Sequence, residues 1–188
     1  MKNKIFRAVK VLREYQIPYV GLKIGNHTFH YEVDDKFFKA FEGSLIEKCD
    51  VKVRIELEKK ETLFILNFFI DGSVNVICDR CSESFDKEIF GDFQCLVKYR
   101  GERDENLPED EDEILFINRE DSFIDVSELI YDYINLCLPM QLIHADNTDG
   151  TSGCNPEVLK YLQGQETKSE TQENDPRWLA LKNFKSDN

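Results

Sequence analysis

The chain has 188 residues, 41% of them hydrophobic and 12% aromatic, and a formal net charge of -13. That length and apolar content suit one domain with a real core and exclude wholesale disorder. The acidity repels phosphate backbones over much of the surface and excludes a protein that coats nucleic acid indiscriminately.

The charge is uneven along the chain. Residues 1–60 hold 13 Lys/Arg against 9 Asp/Glu, whereas the remaining 128 hold 11 against 28. Lys2, Lys4, Arg7, Lys10 and Arg13 occur with no acid among the first thirteen positions. This run is a candidate contact for RNA or an acidic partner; its bland reading is a solvated basic end. It lacks the continuous apolar stretch of a secretory signal, so a soluble cytoplasmic protein is expected.

A hairpin is expected around Gly25-Asn26, joining residues 19–24 to residues 28–33. A short helix follows near Phe37, Phe38 and Phe41. Residues 48–60 alternate, with Val51, Val53, Ile55 and Leu57 on one side and Lys52, Arg54, Glu56 and Glu58 on the other. That pattern predicts a half-buried antiparallel strand. Residues 63–70 are apolar on both faces and predict a more central strand, too short to span a bilayer. Asp71-Gly72 reads as a turn into Val74, Val76 and Cys78. Phe85 to Tyr99 reads as another extended stretch, with Gly91 as a bulge.

Asp125, followed three residues later by Glu128, resembles a capping box. Val126, Leu129, Ile130, Tyr133, Ile134 and Cys137 then share one helical face, and Pro139 ends the helix. Residues 102–113, with eight acids, read as a solvated loop. Residues 164–174 read as a polar linker. A last short helix is expected over 175–188, with Pro176 at its first position and Trp178, Leu181 and Phe184 as its apolar side. The expectation is α+β: an antiparallel meander forming an open, barrel-like sheet, with a few mainly C-terminal helices, as one domain over 1–163.

Cys78-Asp79-Arg80-Cys81 is the sharpest local motif. Two thiolates two residues apart on a turn can bind one tetrahedral zinc. No second C-x-x-C exists, so His144 and Cys154, in the turn-rich stretch after Pro139, are the candidates to complete one structural zinc site. The alternatives are a redox dithiol, which would need a strand-to-helix setting, and two ordinary thiols on a turn. Cys49, Cys95 and Cys137 read as small core residues. His27 and His30 lie three apart on a strand and so on opposite faces. No phosphate loop or nucleophile elbow is present, and catalysis is not expected.

These blocks together resemble the YceD family, the large ribosomal RNA subunit accumulation proteins. The carriers are residues 76–81 with Phe85, Glu113-Ile114, residues 124–130, Leu138-Pro139-Met140, Cys154 and residues 175–181. The resemblance covers residues 45 to 163 and the C-terminal ending. Many members carry a second C-x-x-C after the Leu-Pro segment; here Cys154 is followed by Asn155-Pro156-Glu157, and His144 stands upstream. The resemblance implies a non-enzymatic ribosome biogenesis factor supporting accumulation or processing of large-subunit (23S) ribosomal RNA. Its partner would be a ribosomal RNA precursor or large-subunit assembly particle, or a basic ribosomal protein. Candidate contacts are the N-terminal basic run, Lys52, Arg54 and Trp178. The alternative is a zinc-stapled protein-binding adaptor without direct RNA contact.

Overall fold

A computed structural model describes residues 13–100 and 114–166. The segments 1–12, 101–113 and 167–188 lie outside the described residues. With them go Lys2, Lys4, Arg7, Lys10, the acidic loop, most of the expected linker, and the expected Trp178 helix. The described residues divide into two compact units, 13–77 with 84–142, and 78–83 with 143–166.

The first unit is α+β. After a 3-10 turn at Arg13–Tyr15 come β1 (Gln16–Pro18), β2 (Gly25–Val33), α1 (Asp35–Lys39), β3 (Cys49–Lys59), β4 (Leu63–Ile77), β5 (Ser84–Tyr99), β6 (Ile114–Ile117), β7 (Phe123–Asp125) and α2 (Ser127–Leu136). One sheet has the order β2-β3-β4-β5-β6, and β1 pairs with β7 apart from it. The meander expectation holds from β2 to β5, where every junction is antiparallel; β6 departs from it by joining β5 in parallel. The sheet is open, with β2 and β6 at its edges, and is not closed into a barrel.

Alternation explains the layering. Val51, Val53, Ile55 and Leu57 on β3, and Phe64, Leu66, Phe68 and Ile70 on β4, are all buried on one face. Residues one step out of phase, Lys52 to Glu58 on β3 and Asp71 on β4, form an open face. Against the buried face α2 places Ile130 and Ile134, and α1 places Phe37 and Phe38. Asp34 caps α1, its carboxylate accepting from the backbone N–H of Lys36 and Phe37. Tyr131 stacks on Phe41 at 4.3 Å, and Tyr133 on Phe93 at 4.5 Å.

Four local expectations are corrected. Residues 19–24 form no strand; β2 begins at Gly25 itself and pairs with β3, so Gly25-Asn26 is no hairpin turn. Asp71-Gly72 is not a turn either: β4 runs straight through it, with Gly72 opposite Val51 on one side and Ile89 on the other. Turn residues inside a long central strand were outvoted by pairing on both flanks. Gly91 keeps regular register with Ile70, so it is no bulge. Its missing side chain instead admits α2, since a Cβ there would lie 2.6 Å from the Cys137 sulfur. At the start of α2, Asp125 accepts from the N–H and hydroxyl of Ser127, a tighter local turn than the expected capping box.

The second unit contains α3 (Pro156–Glu166), which takes in the first residues of the expected linker. No helix among the described residues is long and apolar enough to cross a membrane.

Candidate metal centre

Cys78 and Cys81 sit in the loop that joins β4 to β5. The loop closes on itself through two backbone hydrogen bonds, Cys78 N–H to the Glu83 carbonyl and Ser82 N–H to the Cys78 carbonyl, each 2.9 Å. Ser82 takes a φ of +60°, which turns the chain back sharply. A reversal this tight leaves both thiols on one side.

His144 and Cys154 come from the second half of the unit. Between them the chain doubles back: Asp146 bridges Ser152 antiparallel, Asn147 N–H bonds the Thr151 carbonyl at 2.7 Å, and Gly150 turns at φ +81°. Asp149 holds the turn by accepting from the Thr151 N–H and hydroxyl. Gly153 passes so close to the returning strand that a Cβ would lie 2.3 Å from the Ala145 carbonyl oxygen. Ten positions of sequence separation thus become a contact. Arg80 donates to Ser152 at 3.3 Å and Asn155 to Glu83 at 2.6 Å, tying the cysteine loop to this hairpin.

The four side chains converge. The donor atoms of Cys78, Cys81, His144 and Cys154 all lie within 4.8 Å of one another. The Cys78 and Cys154 sulfurs are 3.8 Å apart, and the Cys81 sulfur is 3.5 Å from His144 Nδ1. A tetrahedral zinc with ordinary Zn–S and Zn–N distances separates its ligand atoms by roughly 3.5–3.8 Å. Both of these spacings suit one tetrahedral ion, the whole set is close enough to converge on it, and 3.8 Å is far beyond a disulfide bond. The six described cysteines are all free thiols.

The electrostatics favour a cation. Burial pushes the Cys78 thiol up, but backbone hydrogen bonds from Cys81, Arg80 and His144, with the His144 side chain, outweigh it and bring the group from 9.0 down to about 6. Cys154 is raised, chiefly by burial and against the hydrogen bond from Ser152, with Cys78 adding to the rise. Of the four donors, Cys78 is therefore the thiol best prepared to bind a cation.

Cys78, Cys81 and Cys154 are also the buried residues of this unit among those described. A unit whose interior is thiols rather than hydrocarbon needs a staple. Nor does the pair open a helix after a strand, the setting a redox dithiol requires.

The sequence missed α3, although its signal is plain: Asn155 accepts from the Glu157 N–H at 2.9 Å as a cap, and Pro156 takes the first helical position. That helix fixes the direction in which the chain leaves Cys154. Of the expected contact residues, Arg13 is exposed in the 3-10 turn, and Lys52 is exposed on the open sheet face. Arg54 is half-buried there, bonded to Glu56 and stacked over Phe69 at 4.0 Å. Trp178 and the other N-terminal cations lie outside the described residues.

A family model described as the large ribosomal RNA subunit accumulation protein YceD matches residues 66–185, beginning inside β4 and taking in all four metal-centre residues. No curated protein and no solved structure matches the chain.

Proposed function

The chain belongs to the YceD family, and from that premise we propose that it is a non-enzymatic assembly factor that binds large-subunit precursor particles and supports accumulation of 23S ribosomal RNA. The family's name implies a role in large-subunit RNA accumulation. What supports the non-enzymatic half is the donor set: four protein side chains holding one ion would leave no position open for a substrate at this centre, as in sites of the structural kind.

Zinc is the ion proposed, since three thiolates and an imidazole in tetrahedral spacing select it over hard cations. Bound there, it would cross-link the 78–83 loop to the 143–154 hairpin and hold both in one fold. The residues set that up themselves: Cys78 supplies the ready thiolate, and Ser152 and the backbone of Arg80 orient the sulfurs by hydrogen bonds.

RNA contact is proposed for the basic run Lys2, Lys4, Arg7, Lys10 and Arg13. Lys52 and Arg54 are weaker candidates, because Glu56 already engages Arg54 and carboxylates flank both. Full-length protein should co-sediment with large-subunit precursors, and changing the five N-terminal cations to Gln should weaken association markedly and flatten its salt dependence. Normal co-sedimentation of that variant would discard the N-terminal contact. The adaptor reading, zinc-stapled without RNA contact, would be favoured if crosslinking in those particles captured protein and no RNA.

A further inference from the structure

We propose that the open face of the five-stranded sheet, centred on Phe90, docks an arginine- and lysine-rich segment of a protein partner. This deepens the assembly-factor reading and rests on it for the setting in which such a partner, a basic protein of the particle, would be met.

Phe69 on β4 and Phe90 on β5 are diagonal neighbours on this face, Phe69 pairing with Asp92 and Phe90 with Asp71. Phe90 is 82% exposed, a large aromatic surface left in water. Two shallow grooves meet at it, both lined by Lys52, Asp71 and Phe90. Phe69 shows what such a ring attracts: the Arg54 guanidinium lies over it at 4.0 Å. Phe90 offers the same surface to a guanidinium from outside the chain.

The charge around the rings decides the occupant. Glu32, Asp71, Glu88 and Asp92 are exposed on this face, against Lys52 and the engaged Arg54. A phosphate backbone laid here would meet more carboxylate than cation. An arginine would meet a ring face and a carboxylate within one strand spacing, the pairing that makes it an interface anchor. The net charge of -13 draws a basic partner in from a distance, and the ring fixes where it lands.

The test uses the purified full-length chain with two probes, a synthetic arginine-rich peptide and a single-stranded RNA oligonucleotide, each followed by fluorescence anisotropy at physiological salt. Phe90→Ala should weaken the peptide about tenfold, and Asp71→Lys with Asp92→Lys at least as much. A control that reverses Glu47 and Glu128 to Lys, elsewhere on the surface, should stay within about twofold. All these positions are exposed, so unchanged melting confirms that the variants fold. If the control weakens the peptide as much as the face variants, binding is diffuse attraction and the site is overturned. Absence of peptide binding, or Phe90-dependent binding of the RNA instead, overturns it as well. Failure of the wild-type chain to co-sediment with precursors would sink the assembly reading while leaving the peptide result intact, so the two can fail separately.

Discussion

Cys78→Ser protein should purify without stoichiometric zinc, and wild-type protein stripped by a chelator should reproduce its melting behaviour. The hydroxyl does not ionise in this range, so the variant loses the thiolate that the surrounding hydrogen bonds prepare. Structural zinc contributes about 10–16 kcal/mol of binding free energy in small metal-folded domains, and most of that binding is folding. The effect should fall on the second unit, loosening the 78–83 loop and the 143–154 hairpin, while the hydrophobic core of the first unit stays folded. Cys137→Ser, which removes a thiol outside the cluster, should keep its metal. Acid should mimic the mutation: a thiol whose folded-state pKa is lowered contributes stability that is present above its ordinary value of 9.0 and lost as pH falls through about 6. Protons also compete with a bound ion for the thiolates, so zinc should stay bound at neutral pH and be lost on acidification. Wild-type protein that carries no metal and melts identically with and without chelator would discard the zinc staple.

Gly72→Ala should be the most damaging single methyl in the sheet. The residue lies mid-strand at a φ of +157°, and an added Cβ would stand 2.3 Å from the Asp50 carbonyl oxygen and 2.6 Å from the Val51 Cα. Both are backbone atoms of the neighbouring strand, so no side chain can swing away. Relief requires parting β3 from β4, at the place where Val51 is fully buried. Overpacking of this kind costs about 3 kcal/mol, which lowers the melting temperature by roughly 6–12 °C for a chain of this size. Ser73→Ala, one residue on and facing the open side, should melt close to wild type. Equal melting of the two variants would contradict the β3–β4 register.

The same glycine shows what the sequence could and could not disclose. Period-two alternation over residues 48–60 announced β3 together with its two faces, because Val51, Val53, Ile55 and Leu57 are apolar while every residue between and beside them at even positions is charged. The apolar face of α2 was legible for the same reason. Asp71-Gly72, by contrast, carries turn chemistry that is local, and whether a chain turns or continues there depends on strands on both sides, which no local window contains. The parallel arrival of β6 and the small β1–β7 pair are likewise products of long-range pairing over three- and four-residue strands. At the metal centre, C-x-x-C was visible by spacing, and His144 and Cys154 by their place in the turn-rich stretch after Pro139. Their convergence depends on the 143–154 hairpin, whose Asp, Asn, Thr and Gly residues announce a turn but not its direction. The cap at Asn155-Pro156 was readable and overlooked. Lys52 and Arg54 stand out in the sequence as candidate contacts on this face; the further carboxylates around them come from β2, β4 and β5, and only register brings them together.

The account rests on this chain acting in large-subunit assembly, and the most direct measurement is the ratio of large- to small-subunit ribosomal RNA in cells lacking the protein. A selective fall in the large RNA is expected, restored by the intact chain and not by the Cys78→Ser form. An unchanged ratio would contradict the account.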